Sequence, residues 1–210
     1  MGCAMVPLTH MPFSLRWANA RKSSGTTAAG ASLDVRTIHD EHVELVWKSL
    51  LRLGVREADV EDVLQTVFMI VHDRLHTFDG SSKLTTWLFG ICLRAAAAYR
   101  RKASHRREQG GGVPDETADG SLSAEEGVAL GEARGRLRGI LDAMDLDHRA
   151  VFVMFELDEM ACDEIADIVG VPVGTVYSRL HSARRTFAAA LSRFAAKDRM
   201  RDGSARGGRP

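Results

Sequence analysis

The chain has 210 residues, 45% of them hydrophobic and 27% charged, with 28 Lys and Arg balancing 28 Asp and Glu. That composition suits a globular chain with enough apolar side chains for a core, and the length fits one or two domains. No run approaches the ~18–20 apolar residues of a membrane span, and the first thirty residues lack the apolar run and small-residue site of a signal peptide. Cys3, Cys92 and Cys162 form no C-x-x-C pair. These features argue against a membrane-spanning, exported or disulfide-stapled protein and predict a reducing, cytoplasmic setting.

The neutral total hides a block pattern. Residues 1–33 and 80–107 carry bases and no acids, residues 108–169 carry sixteen acids against four bases, and residues 170–210 carry nine bases against two acids. Basic stretches on either side of an acidic one predict two anion-binding surfaces. Two solvated faces with a basic tail would give the same pattern.

Residues 1–34 lack periodicity and are rich in Ala, Ser, Gly and Thr, so a disordered extension is expected. A helix is predicted from Val35 to Leu53, ended by Gly54 as a C-terminal cap. The next, Glu57 to Leu75, is amphipathic: Val60, Val63, Leu64, Val67, Val71 and Leu75 share one face, with Asp62, Gln65 and Met69 opposite. Thr77 to Lys83 has turn chemistry, and a further helix runs from Leu84 through Trp87 to Arg101. Residues 35–103 form the first predicted domain. Residues 104–123, with Gly110-Gly111-Gly112 and Pro114, form a linker.

Ser123 to Glu126 reads as a capping box opening a helix in which Gly127, Gly131, Gly135 and Gly139 recur every fourth residue. Such a helix is weak unless a partner packs closely on it, and the pattern does not choose between these outcomes. Helices are predicted over Asp147–Phe155, Cys162–Val169 and Pro172–Phe194. Residues 124–196 form the second domain, and residues 197–210 a basic disordered tail. The fold class is all-α: two small helical domains on a flexible linker, the second a four-helix domain with a helix-turn-helix.

That helix-turn-helix is Asp163 to Val176, with Gly170 as the stop and Pro172 starting the second helix. In that second helix Val176, Leu180, Ala183, Phe187, Leu191 and Phe194 share one face. Opposite lie Tyr177, Ser178, His181, Ser182, Arg184 and Arg185, a surface without carboxylates suited to base edges and phosphates. The backbone N–H groups near Gly174 and Thr175 favour a phosphate.

Two blocks of residues resemble a known family. Asp62-x-x-Gln65-x-x-Phe68, Phe78-Asp79-Gly80-x-x-x-Leu84-x-x-Trp87-Leu88-x-x-Ile91 and Arg100-Arg101-Lys102 resemble the second conserved region of sigma-70-type initiation factors, extracytoplasmic-function (ECF) subfamily. Asp163-Glu-Ile-Ala166, then Gly170 to Val176, Ser178-Arg179-Leu180-His181, Ala183 and Arg184 resemble that subfamily's fourth region.

The resemblance implies a promoter-specificity subunit that is not an enzyme and needs no cofactor, metal or catalytic residue. Asp62, Gln65, Phe68 and Met69 would dock on the clamp helices of core RNA polymerase. Asp79, Gly80, Ser81, Ser82 and Lys83 would capture a base flipped from the −10 strand, and Arg94, Arg100, Arg101 and Lys102, with Lys83, would contact its phosphates. Trp87 reads as core. Thr175, Tyr177, Ser178, Arg179, His181, Ser182, Arg184 and Arg185 would read the −35 duplex. An anti-sigma factor is a further partner the sequence permits, and the acidic linker would follow the RNA-exit path. Localisation would be cytoplasmic, at the nucleoid with polymerase, without membrane insertion.

The sequence departs from the family pattern at several positions. Arg94 stands where Asn is usual, Gly90 where Arg is frequent, and Tyr177 and Ser182 where bases are frequent. Glu159 and Ala161 replace the usual Gly and Ser/Thr, so an altered loop is expected there, with Asp158 as the substitute cap. A stand-alone helix-turn-helix regulator is the alternative. A metal protein built on His39/His42 or His72/His76 would need an acidic third ligand that the sequence does not offer.

Overall fold

The computed structural model describes residues 34–108 and 126–206. The N-terminal extension, Cys3, the glycine-rich part of the linker and the capping residue Ser123 lie outside them. Among the described residues seven α-helices run in order: α1 (Val35–Arg52), α2 (Glu57–Arg74), α3 (Leu84–Glu108), α4 (Glu126–Asp142), α5 (Leu146–Phe152), α6 (Cys162–Val169) and α7 (Val173–Arg206). There is no strand among the described residues.

The first three helices pack on one another through the stripe that the periodicity marks. Val60, Val63, Val67 and Val71 of α2 are buried with Ile38, Val46 and Leu50 of α1 and with Leu88, Ile91 and Cys92 of α3. Helix α1 ends at Gly54, whose φ of +96° suits glycine. The Val55 N–H reaches the Leu50 carbonyl and the Gly54 N–H reaches that of Leu51, which is a Schellman closure. Trp87 is buried and lies against Phe78 with ring centroids 5.5 Å apart, a core residue as its position predicted.

Two helix ends differ from expectation. Helix α3 continues to Glu108, because Arg101 to Glu108 contain neither Pro nor Gly and nothing local stops it. Helix α7 continues to Arg206, through basic residues expected in a disordered tail.

In the second half, α5 passes into a π-turn over Val153–Leu157, closed by the Asp158 N–H on the Val153 carbonyl. Helix α6 stops at Gly170 (φ +73°), whose N–H and that of Val171 both reach the Ala166 carbonyl. The Pro172 carbonyl accepts from Thr175 and Val176, so Pro172 stands just outside α7 rather than within it.

Of Gly131, Gly135 and Gly139 in α4, only Gly139 meets a close partner: a Cβ there would lie 3.0 Å from the Phe194 ring of α7, while the other two face open space. The α7 stripe also drifts. Leu191 is 50% exposed and Ala190 takes the buried place, because the later turns meet α4 through Phe194.

The two halves share one core. Gly90 of α3 faces Ile168 of α6, and Leu141, Val151 and Ile165 join the cluster built on α1–α3. Three polar ties cross between them. Arg138 donates to Glu57 at 3.2 Å and Arg52 to Asp158 at 2.8 Å. Arg149, 0% exposed, donates to the carbonyl oxygens of Arg52 and Leu51 and to Asp142 at 2.5 Å.

Candidate functional site

Helix α2 presents Met69, 64% exposed, beside exposed Gln65. Both line an open groove of about 550 Å³ together with Leu64, Phe68, His72 and His39. Asp62 is exposed on the same helix but does not line the groove. Phe68 forms its floor rather than a free contact: it is buried, and the His39 ring lies against it at 4.6 Å. His39 comes from α1, and no spacing in the sequence could bring it to Phe68.

The loop before α3 is shaped by its own turn chemistry. Asp79 accepts from the Ser81 N–H at 2.9 Å, and hydrogen bonding from Ser81 holds its carboxyl below the usual range. Gly80 takes φ +72° with open space around its α-carbon, so a ligand can approach the backbone there. Asp79, Gly80, Ser81 and Lys83 are exposed. The Oγ of Ser82 is instead enclosed, without a hydrogen-bond partner among the described residues.

The basic residues of α3 do not form one patch. Arg101 and Lys102 are exposed, but Arg100 turns onto Gly54, where its Nη1 would lie 2.6 Å from an added Cβ, beside the buried Arg149. The cluster Arg100-Arg101-Lys102 is split because successive helix positions point 100° apart. Arg94 of α3 is exposed, as is Arg74, the last residue of α2, whose positive charge it feels. Desolvation, and after it the like charge of Arg74, pull the Arg94 pKa below the usual arginine value. It stays charged at physiological pH. Neither guanidinium has a carboxylate partner among the described residues, so both add to the positive potential of this part of region 2. Arg74 was not a candidate from sequence, since only the fold brings it to Arg94.

On α7, Tyr177 (59% exposed), Ser178, His181, Ser182 and Arg185 are exposed and form a strip without a carboxylate. Thr175 is half-buried, and the Ser178 hydroxyl donates to its carbonyl at 2.9 Å. The two flanking arginines are paired. Arg179 donates to Asp147 at 2.6 Å, and Arg184 to Glu156 at 2.6 Å with its guanidinium over the Phe155 ring at 5.2 Å.

The loop ahead of α6 keeps its left-handed turn despite the substitution, with Glu159 at φ +53°. Asp158 is not the substitute cap. It is held by Arg52, and burial raises its pKa. The side chain of Glu164 instead reaches back to accept from the Ala161 N–H at 3.2 Å.

The paired histidines go to separate neighbours, His39 to Asp40 and Phe68, His72 to Asp73. No group of three His, Cys, Asp or Glu among the described residues is placed to hold a metal ion. Cys92 and Cys162 are buried and free, and burial pushes the Cys92 thiol up to about 12. No described helix is long and apolar enough to cross a membrane.

These surfaces lie in two recognised family segments. Residues 38–106 match the family model for sigma-70 region 2, and residues 134–187 the model for sigma-70 region 4. The chain belongs to the ECF branch of the sigma-70 family. It is similar to the ECF RNA polymerase sigma factor SigL of Mycobacterium tuberculosis, 31% identical over 163 residues that span 77% of this chain and 90% of the relative. It is also similar to the ECF RNA polymerase sigma-E factor of Escherichia coli, 33% identical over 153 residues, 65% of this chain and 75% of the relative.

Two solved structures share the fold. The sigma factor RpoE in complex with the anti-sigma factor NepR from Bartonella quintana matches with a TM-score of 0.62 and 20% identity, over 75% of this chain and 96% of that one. CnrH in complex with the cytosolic domain of CnrY matches with a TM-score of 0.54 and 24% identity, over 75% and 87%. As a sigma factor with both regions, the chain functions in transcription initiation.

Proposed function

We propose that the two halves divide promoter recognition. The α2 groove, with Gln65 and Met69 at its edge and Asp62 beside it, docks on the clamp helices of core polymerase. The 79–83 loop takes a base from the unwound −10 strand, while Lys83, Arg94, Arg101 and Lys102 track the phosphates. The exposed strip of α7 enters the major groove at −35. RNA synthesis belongs to the polymerase, so the chain contributes recognition and no catalysis, and it works in the cytoplasm. The observation that carries this reading is the exposed strip of α7 from Tyr177 to Arg185, whose own residues include no acid, in a chain that also presents the region 2 groove and loop.

An anti-sigma factor is proposed as a second partner. Both structural neighbours were solved bound to one, or to the cytosolic domain of a partner protein, and they align along most of their length.

Promoter binding by the full chain, with and without core polymerase, tests the division of labour. Tight sequence-specific binding is expected with polymerase only, and Asp62→Ala combined with Gln65→Ala is expected to abolish promoter-directed transcripts. Equally tight specific binding by the chain alone, or full transcription from the double variant, overturns the reading.

A further inference from the structure

The two arginines that flank the strip of α7 are held by acidic residues, but not in the same way. Arg179 is largely covered, and its Nη1 is enclosed without a partner, so it ties α7 to α5 through Asp147. Arg184 keeps 53% of its side chain exposed. Only its Nε is engaged, by Glu156 at 2.6 Å, while the plane rests on Phe155. Its two terminal nitrogens have no partner among the described residues. That leaves the forked end, the part of an arginine that pairs with a guanine edge or a phosphate, facing outward.

The π-turn brings this clamp to α7. The bond from Asp158 N–H to the Val153 carbonyl spans five residues, one more than an α-turn. An extra residue in a helical turn rotates the side chains beyond it by about 100°, and such bulges occur often at functional sites. Here Val153 and Met154 stay fully buried, while Phe155 and Glu156 lie against Arg184.

We propose that Phe155 and Glu156 are positioning residues that hold Arg184 in advance as a reader of the −35 duplex. This rests on the reading of α7 as the −35 element's partner. A free arginine loses rotamer freedom when it docks. One already fixed along its Nε edge and stacked below loses less, so more of its contact energy separates a right base pair from a wrong one. Glu156 also places a negative charge near the phosphates, which weakens binding to any sequence. Together the two effects favour selectivity over bare affinity.

The test uses holoenzyme assembled from the full chain and core polymerase. The DNA is a promoter recovered by wild-type holoenzyme from a library randomised at −35, compared with the same fragment carrying a scrambled −35. Glu156→Gln is expected to tighten binding to the scrambled fragment, yet lower the ratio of specific to scrambled binding about three- to tenfold. Phe155→Leu lowers the same ratio. Arg184→Ala lowers it too, and in that background a further Glu156→Gln change still tightens binding to both fragments but leaves their ratio unchanged.

If Arg184→Ala lowers the ratio and Glu156→Gln does not, the clamp is overturned while α7 remains the reader. An additive Glu156→Gln effect on the ratio in the Arg184→Ala background also overturns it. If Arg184→Ala itself leaves the ratio unchanged while Tyr177→Ala and His181→Ala lower it, the clamp again falls and the helix keeps its role. If none of the three changes matters, the −35 reading itself fails.

Discussion

Arg149 buries its guanidinium against the carbonyl oxygen of Arg52, the last residue of α1. A helix C-terminus carries unmatched carbonyls and partial negative charge, and here a cation from the other half of the chain meets it. Asp142 supplies the counter-charge, and desolvation lowers the Arg149 pKa without removing its charge. The joint between region 2 and region 4 is therefore a polar tie set in an apolar seam.

Arg149→Ala leaves the Arg52 carbonyl without its donor and opens space among Leu51, Gly54 and Asp142. A buried acceptor left unmet costs about 1–3 kcal/mol, and lost packing adds to it. The expected loss in urea unfolding is about 3 kcal/mol. Arg149→Lys recovers only part, because the three donors of an ammonium sit on one nitrogen and cannot reach acceptors spread around the edge of a guanidinium plane. A loss under about 0.5 kcal/mol would mean the two halves do not depend on this tie.

Gly90 matters for the same seam. A Cβ at Gly90 would sit 3.8 Å from the Ile168 side chain, an ordinary contact, and a longer side chain at this buried position would have to displace Ile168 or its neighbours. Gly90→Ala should be close to neutral. Gly90→Arg should separate the halves or cost about 1–3 kcal/mol in overpacking. Small-angle scattering reads the separation as a larger radius of gyration, and an unchanged radius with unchanged stability would refute the packing at this point.

Asp59 gives region 2 a pH-dependent contribution. Tyr99 donates to it at 2.5 Å and Arg56 at 2.9 Å, and these hydrogen bonds, that of Tyr99 foremost, hold its carboxyl below the usual range. The native state thus binds the proton less readily than the unfolded chain. The stabilisation is complete above the unfolded value of about 3.9 and fades as pH falls through the lower native value. Tyr99→Phe should cost about 1–2 kcal/mol at pH 7, and the gap from the parent chain should narrow as the pH falls below about 4. Paired denaturation curves from neutral pH down to about pH 3 measure it, and a gap that does not change with pH would assign the loss to packing instead.

The helices themselves were readable from local signals. Gly54 and Gly170 stop α1 and α6 where predicted, and Val60, Val63, Val67 and Val71 of the α2 stripe are buried as their spacing implied, while Leu64 and Leu75 of the same stripe are half-buried. Contacts between residues far apart in the chain could not be read. The Arg149 to Arg52 tie spans 97 positions, and nothing around Arg149 marks it as a core residue rather than one more surface charge. The same holds for His39 on Phe68, for Arg100 turned onto Gly54 and for Arg184 on Glu156. Periodicity says which face of a helix is polar. It does not say which polar group finds a fixed partner there.

Arg94 feels the like charge of Arg74, a relation set by the fold, and its consequence is measurable in salt. Two like charges without a carboxylate partner among the described residues repel each other, and a phosphate bound near them relieves that repulsion. Each phosphate neutralised on a single strand contributes about −0.7 to the slope of log K against log salt. For holoenzyme on a promoter with a pre-melted −10 strand, Arg74→Gln with Arg94→Gln should flatten that slope by about 1.4 if each contacts one phosphate. Lys48, closed on Glu44 at 2.6 Å, is the internal control, and Lys48→Gln should leave the slope as it was. A slope unmoved by the double change would place the strand's path away from this corner of region 2, and an equal shift from Lys48→Gln would reduce the effect to net charge.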